Sequence, residues 1–262
     1  MTGIAVHEGT TPLILGLPHT GVDLPPEIAA ALNDTGRALA DTDWWIDRLY
    51  EGLAPGASRV RTPIHRYAID VNRPPGGESL YPGQSTTSLV PMTDFEGRPI
   101  WRTPPDAVEI ARRRAAFHTP YHAALAAEVA RVKARHGHAV LYDCHSIRSR
   151  LPYLFEGQLP DFNIGTDGGR TAHPALTETV TQIVAEAGAE GYTHTVNGRF
   201  RGGWTTRHYG QPEAGVHAVQ MELAQSTYLD EHPPWPWNAA RAERLRPILS
   251  RILTTLAAWS PE

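Results

Sequence analysis

Several of the apolar runs in this chain end on imidazoles or carboxylates. In "HAVLYDCHSIRS" a β-branched and aromatic run climbs to Asp143 and breaks at Cys144, His145 and Ser146. "TPLILGLPHTG" behaves the same way and delivers His19. "DTDWWID" offers Asp43 and Asp47, "DVNRP" offers Asn72 and Arg73, and "HAVQMEL" carries Glu222. Two histidines with one carboxylate are a common ligand set for catalytic zinc, and they leave one coordination position for water. A separate glutamate then acts as general base. On this reading His19, Asp43 and His145 hold one divalent ion, with zinc the expected metal, and Glu222 takes the proton. Asp47 competes with Asp43 for the third ligand position. Near a helix start, either carboxylate also interacts favourably with the helix dipole.

Other groupings compete with this one. His118 and His122 in "HTPYH" have an i, i+4 spacing, but Pro120 lies between them and no glutamate follows His118. They read as ordinary helix residues. Cys144 or Ser146 beside His145 suggests a nucleophile and its base. Neighbours on a strand point to opposite faces, which argues against Cys144 and His145 acting together. Arg73 ends "YAIDVN", where its planar fork suits a carboxylate in two-point contact. Arg201 and Arg207, in "RFRGGWTTRHYG", are further cations, and Gly202 and Gly203 between them would let backbone approach a ligand.

These residues need elements to hold them. "TPLILGLP", "SRVRT", "YAIDVN", "HAVLYDCH", "GYTHTVNG" and "GVHAVQMEL" read as strands. "DTDWWIDRLYEGLA" reads as a helix capped by Asp41 or Thr42, with Trp45, Leu49 and Leu53 at helical spacing. A second helix is expected over Asp106–His136, bent at Pro120, because proline removes a backbone donor and crowds the preceding turn. Further helices are expected over Ala175–Ala187 and Ala239–Trp259, the last with Leu245, Leu249, Ile252 and Leu256 as its apolar stripe. Pro74 to Pro105 is rich in Pro, Gly, Ser and Thr and reads as a covering loop. Strands alternating with helices imply a single α/β domain, its sheet covered on both faces. Ligands in such folds bind beyond the carboxyl ends of the strands.

Composition narrows the function. A chain of 262 residues, 41% hydrophobic and 20% charged, has the make-up of one globular domain. Its net charge of -4 gives no general attraction to nucleic acid or anionic membrane, so an anionic ligand must be met by local arginines. One cysteine excludes an internal disulfide framework and suits the cytoplasm. The start of the chain has no basic segment followed by a long apolar run, so no signal peptide or membrane span is expected. Nothing in the sequence specifies an oligomeric state.

Taken together, "PHTG", "DTDW", "DVNRPP", "DCHSIRS", "LFEGQLPDFNIGT", "NGRFRGGWTTRHYG" and "HAVQMELAQSTY" resemble the N-formylglutamate amidohydrolase (deformylase) family of histidine degradation, nearly end to end. "DCHS" and "VNRP" also look like the second metal histidine and the substrate-binding Asn-Arg pair of zinc carboxypeptidase-like enzymes. The resemblance implies a mixed sheet flanked by helices, of phosphorylase/hydrolase-like architecture, and a divalent metal. It maps His19 and His145 onto metal ligands, Glu222 onto the catalytic carboxylate, and Asn72 and Arg73 onto the substrate. The chain departs from the carboxypeptidase pattern at Val22, where that pattern has a carboxylate three residues after the first histidine. Asp43 is therefore taken as the third ligand. The implied substrate is N-formyl-L-glutamate, a small dianion, with Arg201 or Arg207 assisting at its second carboxylate. Alternatives are a related deacylase or carboxypeptidase, or a non-catalytic binder of acidic ligands.

Overall fold

The computed structural model describes residues 3–80, 83 and 86–261. Tyr81, Pro82, Gln84 and Ser85, within the expected covering loop, lie outside the described residues. Seven strands form one sheet in the order β1-β3-β2-β4-β7-β5-β6. They are β1 (Ala5–His7), β2 (Leu13–Leu17), β3 (Ser58–Arg61), β4 (Ala139–Ile147), β5 (Phe162–Gly165), β6 (His194–Val196) and β7 (Val216–Ala224). The central strands β3, β2, β4 and β7 run parallel, whereas β1 joins β3, and β5 joins β7, in the antiparallel sense. The sheet is therefore mixed, as expected, within a single α/β domain.

Helices cover both faces, and strand alternation decides which side chain meets which layer. Leu13, Leu15, Val140, Tyr142, Cys144, Val219 and Met221 face a core built with α3 (Ile46–Tyr50), α6 (Pro174–Glu186) and α8 (Ala239–Ala258). Ile14, Ala139, Leu141, Val216 and Ala218 face the opposite core, which takes in α1 (Pro26–Ala31) and the long helix α5 (Thr119–His136). Asp143, His145, Gln220 and Glu222 share that second face by parity. Leu245, Leu249, Ile252 and Leu256 are all buried, so the apolar stripe of α8 packs as its spacing implied.

Several elements differ from expectation. "YAIDVN" is a succession of turns, not a strand, although Tyr67–Val71 is buried throughout. The helix of "DTDWWIDRLYEGLA" begins only at Ile46, because Trp45 takes a left-handed φ of 62° and the preceding residues form turns. The 106–136 helix is not simply bent at Pro120. It runs as α4 (Ala107–Arg113), a π-helical turn over Arg114–His118, then α5. Thr119 N–H donates five residues back, to Arg114 O, and Pro120 has no N–H to give. β5 falls in a stretch not read as a strand. "RGGWTTRHYG", for which no helix is expected, contains α7 (Trp204–Tyr209), and α2 (Asp34–Arg37) is a short unexpected turn.

Candidate active site

The sheet brings the polar motifs to one cleft. His145 is not at the end of its strand: β4 continues to Ile147, paired rung by rung with β7, so that Asp143 sits beside Gln220 and His145 beside Glu222. His19 follows β2, two residues past its last strand residue. Asp43 comes from the turn before α3, and its N–H donates to His19 O at 3.1 Å. The cleft is lined by His19, Arg66, Asn72, Arg73, His145 and Glu222, with Phe95, Leu154, Arg199 and Phe200 on its outer walls.

His19, Asp43 and His145 converge through one atom each. His19 Nδ1 lies 3.2 Å from His145 Nδ1, which lies 3.2 Å from Asp43 Oδ2. The remaining edge, His19 Nδ1 to Asp43 Oδ2, is 3.9 Å. Ligands at about 2.0–2.1 Å around a tetrahedral zinc stand roughly 3.3 Å apart, so the triangle has the size of such a set. Proton accounting supports the same conclusion. His19 Nε2 donates to Asp70 Oδ1 at 2.7 Å, and a neutral ring with that proton presents a lone pair at Nδ1. His145 Nε2 stands 3.0 Å from Asp143 Oδ2, leaving its Nδ1 to face the other two acceptors. Each imidazole thus has a buried carboxylate behind it, an arrangement that fixes the ring and its tautomer in metal sites.

The electrostatics point the same way. Burial opposes a charge on His145, yet Asp143 and Asp43 together hold its pKa well above the ordinary 6.5. Burial and the neighbouring Arg66 lower that of His19. Burial also works against ionised Asp43, but Arg66 and the two imidazoles keep it below the ordinary carboxylate value. The meeting point of the three atoms therefore demands positive charge, which a proton on His145 or a metal ion supplies. The donor set fits a divalent cation. Arg66 binds Asp43 Oδ1, leaving Oδ2 to the histidines and to Ser146 N–H at 3.1 Å.

Glu222 stands on the same wall, buried, with Gln220 Nε2 donating to its Oε2 at 3.0 Å. Burial pushes its pKa up to about 7; His145 opposes this and Asp43 adds to it. Asn72 bridges the two halves of the site. Its Nδ2 lies 3.1 Å from His145 Nε2, and its Oδ1 accepts from Thr205 N–H at 2.8 Å. A Cβ at Gly203 would meet Asn72 Nδ2 at 2.3 Å, so that glycine makes room for Asn72 and not for a ligand.

Arg73 lines the cleft while its guanidinium also holds Thr87 O at 3.0 Å and Thr87 Oγ1 at 2.8 Å. Arg201 and Arg207 do not line it. Arg207 Nε donates to Gly202 O at 2.8 Å and lies 3.4 Å from Asp167 Oδ1. The cations on the walls besides Arg73 are Arg66 and Arg199. Asp47 is half-exposed and pairs with Arg61 at 3.1 Å, outside the cluster. Cys144 faces the opposite core, and burial pushes its thiol pKa well up. Ser146 Oγ accepts from Tyr228 OH at 2.7 Å.

Sequence reasoning missed Asp70, Asp143, Arg66 and Arg199. Asp143 had a signal, since it lies two residues before His145 and so on the same strand face. Arg66 and Arg199 had none, because only the tertiary fold turns them inward.

The chain is similar to proteins of one family over nearly its whole length. The chain is 47% identical to an N-formylglutamate deformylase of Pseudomonas aeruginosa and 42% identical to one of Pseudomonas putida, each over 99% of this chain and 97% of the relative. The crystal structure of an N-formylglutamate amidohydrolase from Ralstonia eutropha superposes with a TM-score of 0.81 at 25% identity, covering 98% of this chain and 97% of that one. A protein of Agrobacterium tumefaciens shares the fold, with a TM-score of 0.67 at 18% identity over 98% of this chain and 95% of its own. The model of the N-formylglutamate amidohydrolase family matches residues 11–229, a span that takes in every cleft residue from His19 to Glu222. With its fold and most of its length matched, the chain belongs to the N-formylglutamate amidohydrolase family.

Proposed function

We propose that this chain hydrolyses N-formyl-L-glutamate to formate and L-glutamate, using one divalent ion, zinc being the expected metal, held by His19, Asp43 and His145. The observation that carries the reading is the meeting of three acceptor atoms, each braced from behind, inside a cleft that also holds a glutamate and arginines. Bound there, a divalent ion supplies a Lewis acid for the formyl carbonyl and makes water acidic enough to attack near neutral pH.

The chain's own residues do the rest. Glu222 accepts the proton of the attacking water and passes it to the amine nitrogen as the C–N bond breaks. Its raised pKa suits both halves of that exchange near neutrality. Arg66, buried beside Asp43, adds positive charge to the wall where negative charge develops on the formyl oxygen. The formyl group offers little to grip, so recognition rests on the two carboxylates of the glutamate half. Arg73, with Asn72 beside it, takes one carboxylate, and Arg199 is the cation for the other. Arg207 holds Gly202 O, in the segment that follows Arg199. Phe95, Leu154 and Phe200 keep water off the methylene chain. The single cysteine is compatible with a cytoplasmic enzyme of histidine degradation.

The test is formate release from N-formylglutamate, N-formylglutamine, N-formylmethionine and N-acetylglutamate, with metal content measured on the same preparation. Clear preference for the first, with about one metal per chain, is expected. Equal rates on N-formylmethionine would sink the glutamate assignment. Full activity in protein stripped of metal would sink the metal.

A further inference from the structure

The segment from Ala68 to Pro75 carries three groups of the site: Asp70 behind His19, Asn72 against His145, and Arg73 on the cleft wall. It is buried like a strand but pairs with none, so its carbonyls need partners from elsewhere. A row of side chains on one helix meets four of them. Arg113 Nη1 donates to Ala68 O at 3.2 Å, and Arg114 Nη1 to Pro75 O at 3.1 Å. His122 Nε2 donates to Val71 O at 2.7 Å, and His118 Nε2 to Arg73 O at 2.9 Å.

The π-helical turn makes that row possible. Arg113 and His118 are five residues apart, which on a regular α-helix puts them about 140° apart around the axis. The wider turn over Arg114–His118 returns them to one side. The next turn of α5 adds His122, whose ring centroid lies 4.4 Å from that of His118. Both rings are held neutral, since burial lowers their pKa values, that of His122 to about 3. Each therefore spends its one N–H on a carbonyl of the site-bearing segment, and the Tyr209 hydroxyl lies 3.0 Å from His122 Nδ1. The HTPYH pair, which is no metal site, has this different use.

We propose that the helix running from Arg113 to His122 is the clamp of the active site, with His118 and His122 as positioning residues. They fix the Asp70–Arg73 turn, and through it the orientation of His19, His145 and the Arg73 fork. The proposal rests on the metal reading above for two of those three effects; the third, on Arg73, does not involve the metal.

The experiment compares His118→Leu/His122→Leu, which removes both donors, with His118→Gln/His122→Gln, which keeps an amide N–H on each side chain. Zinc affinity is titrated into metal-depleted protein against a fluorescent chelator, KM for N-formylglutamate is measured on the loaded protein, and the metal-free melting temperature reports the fold. Removing the donors should weaken zinc at least about tenfold, the scale of lost outer-shell partners, and raise KM. The glutamine pair should recover most of both. A purely structural role lowers only the melting temperature. Wild-type zinc affinity and KM in the leucine pair would overturn the clamp, as would glutamine variants no better than leucine ones. If the leucine pair does not fold, Arg114→Met decides, since Arg114 is exposed. A loss of zinc affinity of about threefold or more supports the clamp, and unchanged affinity and KM overturn it. Wild-type protein that takes up no zinc would instead overturn the metal reading, and KM alone would then judge the clamp.

Discussion

Replacing Glu222 by glutamine separates proton transfer from everything else the cleft does. The amide is nearly isosteric and can still accept from Gln220 Nε2, which now lies 3.0 Å from Oε2. Glu222 is buried beside His145 on the same rung, and β7 carries no other carboxylate. Loss of a general base typically costs roughly a hundred- to ten-thousand-fold in rate, or about 2.7–5.5 kcal/mol of barrier. The variant should keep its metal and its melting profile while formate release collapses by that factor. The pH profile sharpens the test. With a pKa of about 7 the catalytically useful carboxylate is mostly protonated in acid, so kcat/KM of the wild type should rise with pH. Between one unit below that value and one above, the ionised fraction grows about tenfold. A cation bound among His19, Asp43 and His145 favours the carboxylate and moves this limb to lower pH. The limb should vanish in Glu222→Gln. A coupled formate dehydrogenase assay from pH 5 to 9 reads both effects. Turnover within about threefold of wild type, or an unchanged acid limb, would refute the role.

Three further outcomes follow from the geometry. Asp43→Ala should strip the metal, measured by elemental analysis, whereas Asp47→Ala, which breaks only the half-exposed pair with Arg61, should cost at most about 1 kcal/mol in stability and leave metal content intact. Cys144→Ser should keep near-wild-type turnover, because the thiol faces the opposite core; any loss should appear in the melting temperature alone. His217 is buried against Trp259, and burial, with His138 and His173, pushes its pKa down to about 4 from the ordinary 6.5. The folded chain thus binds fewer protons there than the unfolded one between those values, so stability should fall as pH drops through that window. His217→Gln should flatten that part of a plot of melting temperature against pH.

The parts of the site that sit on strands were legible in advance. His19, His145 and Glu222 follow or end apolar β-branched runs, and such runs form the central parallel strands with little ambiguity. Asp43 came from the chemistry of a ligand set lacking a carboxylate, not from any local pattern. "YAIDVN" misled because alternating apolar residues mark burial on one face as readily as they mark a strand. Here helix side chains, not a neighbouring strand, satisfy the backbone. The resemblance implies Arg201 or Arg207 as the second cation, whereas Arg199 of the same motif is the one that lines the cleft. One or two residues of slip in a turn decide which arginine looks inward, and composition carries no record of that. The π-helical turn was equally invisible, although Pro120, two residues beyond its end, marked its place.

The pairing of β4 with β7, unbroken from Ala139 to Ile147, divides the cleft into two kinds of matter. His145 and Glu222 ride adjacent central strands and can separate only when the whole sheet opens. Asp43, Asp70 and Arg73 ride turns, which open in smaller and cheaper fluctuations. An ion held there as proposed would thus have an exit that does not require unfolding: the turns would lift while His145 and Glu222 stay in place. Chelators should reach the ion at the pace of those local openings, and the stripped protein retains half of its site already assembled for the ion's return.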